Sequence, residues 1–307
     1  MSLKPLALSG LKQVRVAVSG CILLAQIGLA FMVAWSPERY WWRLALVVAL
    51  PDILASYRPF NRGGRRSLVR AIGRGRDTWV ERLPALRSYR CGGWNPAVGV
   101  EGEEHVTAAL ARGHGAILWV APLRYHSLVT KKAFHTAGIP VHHLSQSRHG
   151  FGPHPWAIAR LSRIRTRVED RYLASRVMFG PHGVGAMKAM GRLRAHLLAN
   201  RVVSITLNED GAQLADIRIG GWSHPVATGA PHLAVSTGAA LLPVFCVRER
   251  NGSYSVRIGA PLSFTAGVSR KAAVVELVNA CSEAFDPVVR AYRDQLPRRF
   301  ANRRGLG

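Results

Sequence analysis

Residues 16–35 read VAVSGCILLAQIGLAFMVAW, twenty consecutive positions without Asp, Glu, Lys, Arg or His. Arg15 precedes the run, and Glu38 and Arg39 follow it. About 20 apolar residues in one helix cross a hydrocarbon core of ~30 Å. The run is longer than the roughly 7–15 residues of a secretory h-region, and no A-x-A-like cleavage site follows closely. It is therefore read as a retained membrane anchor, which places the rest of the chain at a bilayer surface. A buried core helix is the alternative, favoured by Gly20, Gly28 and Gln26 within the run.

Charge points the same way. The formal net charge is +25, carried mostly by arginine. Ten arginines lie between Arg58 and Arg90 against Asp77 and Glu81, and six between Arg290 and Arg304 against Asp294. Such a field attracts phosphates, acidic head groups and phosphorylated carriers. The first cluster follows the apolar run closely. By the positive-inside tendency the bulk of the chain is expected at the cytoplasmic face of an inner membrane. Nucleic acid is not expected as a partner, because the anchor argues against it and no nucleic-acid module is legible. Cys21, Cys91, Cys246 and Cys281 form no C-x-x-C, so zinc and redox motifs have no support.

The chain of 307 residues is long enough for one large domain and an anchor. Leu44–Leu50 is too short to span alone, and Tyr40, Trp41 and Trp42 ahead of it suit an interfacial segment. The division expected is an anchor and interfacial segment at 1–57, a basic linker and surface helix at 58–99, and an α/β domain at 100–307. From residue 100 the pattern predicts a helix over 103–111 and a strand over 116–121, whose unbroken apolar run suits burial on both faces. It continues with a helix over 127–137, a strand over 140–144, a helix over 187–198 and a strand over 202–207. A helix over 232–237 stopped at Gly238, strands over 241–247 and 254–258, and a helix over 269–292 complete it. Residues 155–164 and 171–178 suit either helix or strand. Alternation of this kind implies a largely parallel sheet flanked by helices.

Walker, H-E-x-x-H and Rossmann fingerprints are absent. Ser236 lies in AVSTG, a degenerate nucleophile elbow in the wrong order, with a helix before it and a strand after. The most specific pattern is RVVSITLNEDGAQ, then IRIGGW, then ATGAPHLAVSTGAALLPVFCVR. A buried strand runs into the acidic turn Asn208-Glu209-Asp210. Gly220-Gly221-Trp222 makes an aromatic-glycine turn, Thr228-Gly229 opens a helix, and Pro243 stands in the next strand. In these features, in their order, and in the tail Arg298-Arg299-Phe300, residues 100–300 resemble the lipid A late acyltransferases. Those are the lauroyl and myristoyl transferases of the lysophospholipid acyltransferase superfamily. The resemblance implies an acyltransferase-like α/β domain on a membrane anchor. It implies acyl carrier protein or coenzyme A as thioester donor, membrane lipids as partners, and no further cofactor.

The catalytic element departs from that family. Its His-x4-Asp or His-x4-Glu pair follows the first buried strand; here Pro122 stands at the histidine and Ser127 at the acid. None of the twelve histidines has Asp or Glu five residues later. His126, one helical turn beyond Pro122, is the candidate base, with Glu209 or Asp210 supplying the carboxylate from a neighbouring strand end. Arg124, Ser127, His149, Arg176, Thr228 and Gly229 are the candidate substrate-binding residues. The His142–His149 stretch suits a phosphate or sugar head group, or simply a solvated loop. With no acid among residues 140–168 a metal is not expected there. Phe179-Gly180-Pro181-His182-Gly183 is a turn whose backbone suits an anion or a plain connection. A non-catalytic relative that binds lipid or an acylated carrier is the second reading.

Overall fold

The computed structural model describes residues 4–56, 64–89, 93–146, 162–180, 184–209, 211–219 and 221–297. The chain divides into two units, residues 1–94 and 95–307.

The first unit is helical: α1 (Lys4–Trp35), α2 (Trp41–Ser56) and α3 (Gly64–Ser88). The window Val18–Trp35 of α1 has a mean hydropathy of 2.0, long and apolar enough to cross a membrane. Length and composition of this kind also suit a core helix or a signal segment. Leu23, Ile27, Ala30 and Val33 are buried, three or four positions apart, while Val18, Ile22, Leu24, Met32 and Trp35 are exposed. Gln26, which interrupts the apolar run, is buried, and its Nε2 donates to the Val48 carbonyl at 2.9 Å. A buried amide is tolerated when it is hydrogen-bonded, and this bond ties α1 to α2. Trp79 of α3 donates to Asp52 Oδ2 at 2.8 Å, and the Arg76 guanidinium lies 3.5 Å from the centre of the Trp42 ring. Arg87 donates to the Gly93 carbonyl. Part of the arginine cluster is thus spent on packing, while Arg74 is exposed.

The second unit is α/β. Its elements are β1 (Val98–Glu101), α4 (Glu103–Ala111), β2 (Ala116–Val120), α5 (His126–Thr136) and β3 (Val141–Gln146). Then come α6 (Ser162–Asp170), β4 (Ser175–Phe179), α7 (Ala186–Leu198), β5 (Val202–Thr206), β6 (Leu214–Ile219) and β7 (Trp222–Ala227). α8 (Gly229–Thr237), β8 (Ala240–Arg248), β9 (Tyr254–Ile258) and α9 (Arg270–Ala291) complete it. Seven strands form one sheet in the order β1-β9-β8-β2-β5-β3-β4. All neighbours are parallel except β8 and β9. The sheet is therefore mixed, though mostly parallel. β2 is central and all five of its residues are buried, as a strand covered on both faces must be.

Helix stops follow their residues. Gly138 and Gly238 adopt φ of 70° and 75° just beyond α5 and α8, a region open to glycine without a Cβ clash. The structure differs from expectation in three places. α8 begins at Gly229, three residues before the predicted start. β1 is an edge strand of four residues. β6 and β7 form an antiparallel hairpin, with Ile219 opposite Trp222.

Alternation along the strands separates two environments. On one face Ile117, Trp119, Val203, Ile205, Leu241 and Phe245 pack in the main core with residues of α7, α8, α9 and the hairpin. On the other face lie His143, Ser145, Arg176 and Ser204, together with α5 and α6.

Candidate functional site

A cavity of about 530 Å³ opens at the carboxyl ends of the strands on the main-core face. Ligands of open α/β sheets gather at such ends, and the volume is ordinary for a small-molecule site. Trp119, Leu144, Phe179 and Ile205 come from four adjacent strands, with Met190 of α7 and Leu233 of α8 beside them. The polar lining is Asn208, Gln213, Thr228, His232 and Arg270, with Thr206 and Ser236. The first residues of three helices, Ala186, Gly229 and Arg270, all border the cavity. Their positive dipole ends therefore converge there.

The local sequence builds this mouth. The Ala227 N–H donates to the Asn208 carbonyl at 2.8 Å, and the Thr228 N–H to the Gln213 carbonyl at 3.1 Å. The segment after β5 is thereby tied to the start of α8. A side chain at Gly229 would meet Met190 Cε at 3.1 Å, so this position stays small where α7 and α8 approach. His232, half-buried in the first turn of α8, has its pKa held below the ordinary histidine value, first by burial and then by the Arg270 charge. Both effects favour the uncharged imidazole. Ser236 Oγ donates to the Leu233 carbonyl at 3.1 Å, one turn further along.

The positions of the expected acyltransferase pair lie elsewhere. Pro122 is buried just beyond β2. Ser127 belongs to a buried ionic cluster under α5 and α6, on the sheet face opposite the cavity. Its Oγ donates to Glu169 Oε1 at 3.0 Å and accepts from Arg165. Glu169 has no exposed surface and pairs with Lys131 at 3.1 Å, Arg165 at 2.9 Å and Arg176 at 3.0 Å. Arg176 also pairs with Asp170 at 2.7 Å and donates to Ser145 Oγ at 2.6 Å. Burial pushes Lys131 down to about 8; Glu169 opposes the shift, while Arg176 and Arg165 add to it.

His126 is buried at the start of α5 and does not border the cavity. Its Nδ1 lies 2.5 Å from the Leu123 carbonyl oxygen. A carbonyl only accepts, so Nδ1 carries a proton. Arg124 borders a separate polar cleft with Tyr125, Arg248 and Glu249, and its N–H donates to the Gln295 carbonyl. Glu209 is half-buried after β5 and is not part of the cavity lining. Thr228 and Gly229 are the two candidate residues that border the cavity. Asp210, His149 and residues 181–183 lie outside the described residues.

Of the histidine stretch, His142 and His143 are strand residues. His142 Nδ1 lies 2.6 Å from Ser175 Oγ, and the ring stacks on His196 at 3.7 Å. His143 Nδ1 lies 2.7 Å from Ser204 Oγ. Among the described residues no group of three or more His, Cys, Asp or Glu is placed to hold a metal. Cys246 and Cys281 are free, buried thiols whose pKa burial pushes up.

His232 and Arg270 are the site residues that sequence reasoning missed. The signal lay in position alone: both stand within a few residues of a helix start that follows a strand or loop at the carboxyl edge. Comparison with known protein families finds none whose model this chain matches, and comparison with curated proteins finds no match.

Proposed function

We propose that the chain is a membrane-associated acyltransferase of the lipid A late acyltransferase type. It moves a fatty acyl chain from acyl carrier protein or coenzyme A to a hydroxyl or amine of a glycolipid, lipid or other amphipathic acceptor. The observation that carries this reading is the apolar cavity at the strand ends, whose mouth gathers Thr228, His232 and Arg270. A methylene moved from water into such a cavity gains ~0.8 kcal/mol. Ten methylenes therefore gain on the order of 8 kcal/mol before the cost of ordering the chain. The cationic mouth suits the phosphate-bearing carrier of a thioester. The apolar α1 and the arginine-rich segment after it support work at the cytoplasmic face of an inner membrane. The thioester is a substrate, and no other cofactor is required.

A second reading has its own support: Pro122 and the cluster-bound Ser127 occupy the positions of the family pair, which favours a non-catalytic protein that binds lipid or an acyl carrier.

The test uses the full-length protein in detergent. A fluorescent fatty acid should bind at one site, and Ala212→Trp, an exposed change at the cavity mouth, should weaken binding at least tenfold. Consumption of acyl-coenzyme A and acyl-carrier-protein thioesters of several chain lengths then separates transfer from binding alone. Absence of fatty-acid binding, or binding indifferent to Ala212→Trp, overturns the reading.

A further inference from the structure

An acyl-transfer site needs a group that takes a proton from the acceptor, and neither Pro122 nor Ser127 provides one. Among the described residues His232 is the one histidine on the cavity lining, and Arg270 the one Lys, Arg, Asp or Glu there. Met190 of α7, Asn208 and Gln213 after β5, and Arg270 of α9 line the same cavity, and the Arg270 charge is felt by the imidazole. The first helical hydrogen bond of α8 runs from the His232 N–H to the Thr228 carbonyl at 3.0 Å. The N–H groups of Gly229 and Ala230 precede that ladder, and Pro231 has none. A proton acceptor and two amide donors thus share one turn at the rim of an apolar cavity.

We infer that His232 is the general base of acyl transfer in this cavity, with the Gly229 and Ala230 N–H groups facing the carbonyl oxygen of a fatty acyl thioester. The inference rests on the acyl-transfer reading above. The imidazole takes the proton of the acceptor hydroxyl or amine as its oxygen or nitrogen bonds to the thioester carbon. The carbonyl electron pair moves to oxygen, where the amides hold it. Collapse restores the carbonyl and breaks the C–S bond. The imidazolium returns its proton to the departing thiolate. Acyl thioester and acceptor become acylated acceptor and free carrier thiol, with no oxidant or reductant needed.

The experiment follows thiol release from acyl-coenzyme A and acyl carrier protein by full-length protein in detergent with a membrane-lipid extract as acceptor. His232→Gln should lower kcat about 10²–10⁴-fold, the usual loss of a general base, while KM and fatty-acid binding change less than threefold. His126→Ala should keep kcat within threefold of wild type. The wild-type pH profile of kcat/KM should rise through a midpoint below the ordinary histidine value of ~6.5. That midpoint should move up in Arg270→Gln, and the limb should vanish in His232→Gln. A His232→Gln protein with near-wild-type turnover, an unmoved limb, or a wild type inert toward every thioester each overturns the inference. Retained fatty-acid binding in those cases leaves the cavity's ligand class standing. Loss of binding in wild type removes both readings.

Discussion

Changing Glu169 to Gln strikes the buried cluster at its single shared anion. Three cationic groups lie within 3.1 Å of this carboxylate, which has no exposed surface. Removing one partner of a buried pair costs ~3–5 kcal/mol, because the remaining charge stays desolvated. Two features moderate the loss. Asp170 still holds Arg176 at 2.7 Å, and the glutamine carbonyl can accept one of the lost bonds. The expected destabilisation is ~3–4 kcal/mol, on the order of 10 °C in Tm for a unit of this size.

The cost should depend on pH. Lys131, pushed down to about 8 from 10.5, binds fewer protons folded than unfolded between those values, so its contribution to stability rises with pH there. Glu169 is the group that holds this pKa up. Without it the folded value falls further, the window opens downward, and Glu169→Gln should cost less at pH 9 than at pH 6. Lys131→Met combined with Glu169→Gln should cost less than Glu169→Gln alone, since one uncompensated cation goes with the anion. Pulse proteolysis in urea, on full-length protein in detergent micelles, measures all three. A change below ~1 kcal/mol, against the ~3–5 kcal/mol of a broken buried pair, or an equal cost at both pH values, would refute the argument.

Other outcomes are expected on the same physical grounds. Ser127→Ala should cost ~1–2 kcal/mol in the same assay, because its hydroxyl bridges Arg165 and Glu169; a neutral effect would remove it from the cluster. The full-length chain should pellet with membranes and resist carbonate, and removal of residues 1–36 should weaken that attachment; a wholly soluble full-length protein would end the anchor proposal. Changing Arg62, Arg65, Arg66, Arg70 and Arg74 to Gln should lower affinity for anionic vesicles by ~1 kcal/mol per residue near the surface. The loss should shrink as salt rises, and unchanged vesicle affinity at low salt would place the segment away from the bilayer.

The sheet was legible where a single pattern decides. An unbroken apolar run at 116–121 can be little else than a strand buried on both faces, and Gly138 and Gly238 stop their helices through backbone freedom alone. The hairpin β6–β7 was hidden because LADIRI and WSHPVA alternate weakly in apolar character, and β6 exposes much of one face. The strand β1 was hidden because four residues at an edge carry too little pattern. The buried cluster had no local signature at all, since Ser127 and Glu169 meet across 42 positions of chain. His232 gave no signal beyond its place near a helix start: one histidine in a short helix looks the same whether it faces solvent or a cavity. The resemblance pointed to the segment after β2, and the cavity opens beside α7 and α8.

The strand order sets when, during synthesis, each strand can find its neighbours. Ala116 of the central strand pairs with Val202 on one side and Ala240 on the other, and Val98 waits for Tyr254. A ribosome adding ~5–20 residues each second leaves β2 without its second neighbour for on the order of ten seconds. Throughout that interval the helical unit is already made, while the most apolar strand lacks a complete sheet. An early hold of the nascent chain at a bilayer would keep that strand apart from its copies on neighbouring ribosomes, so separating the two units should lower the yield of folded α/β unit more than its equilibrium stability.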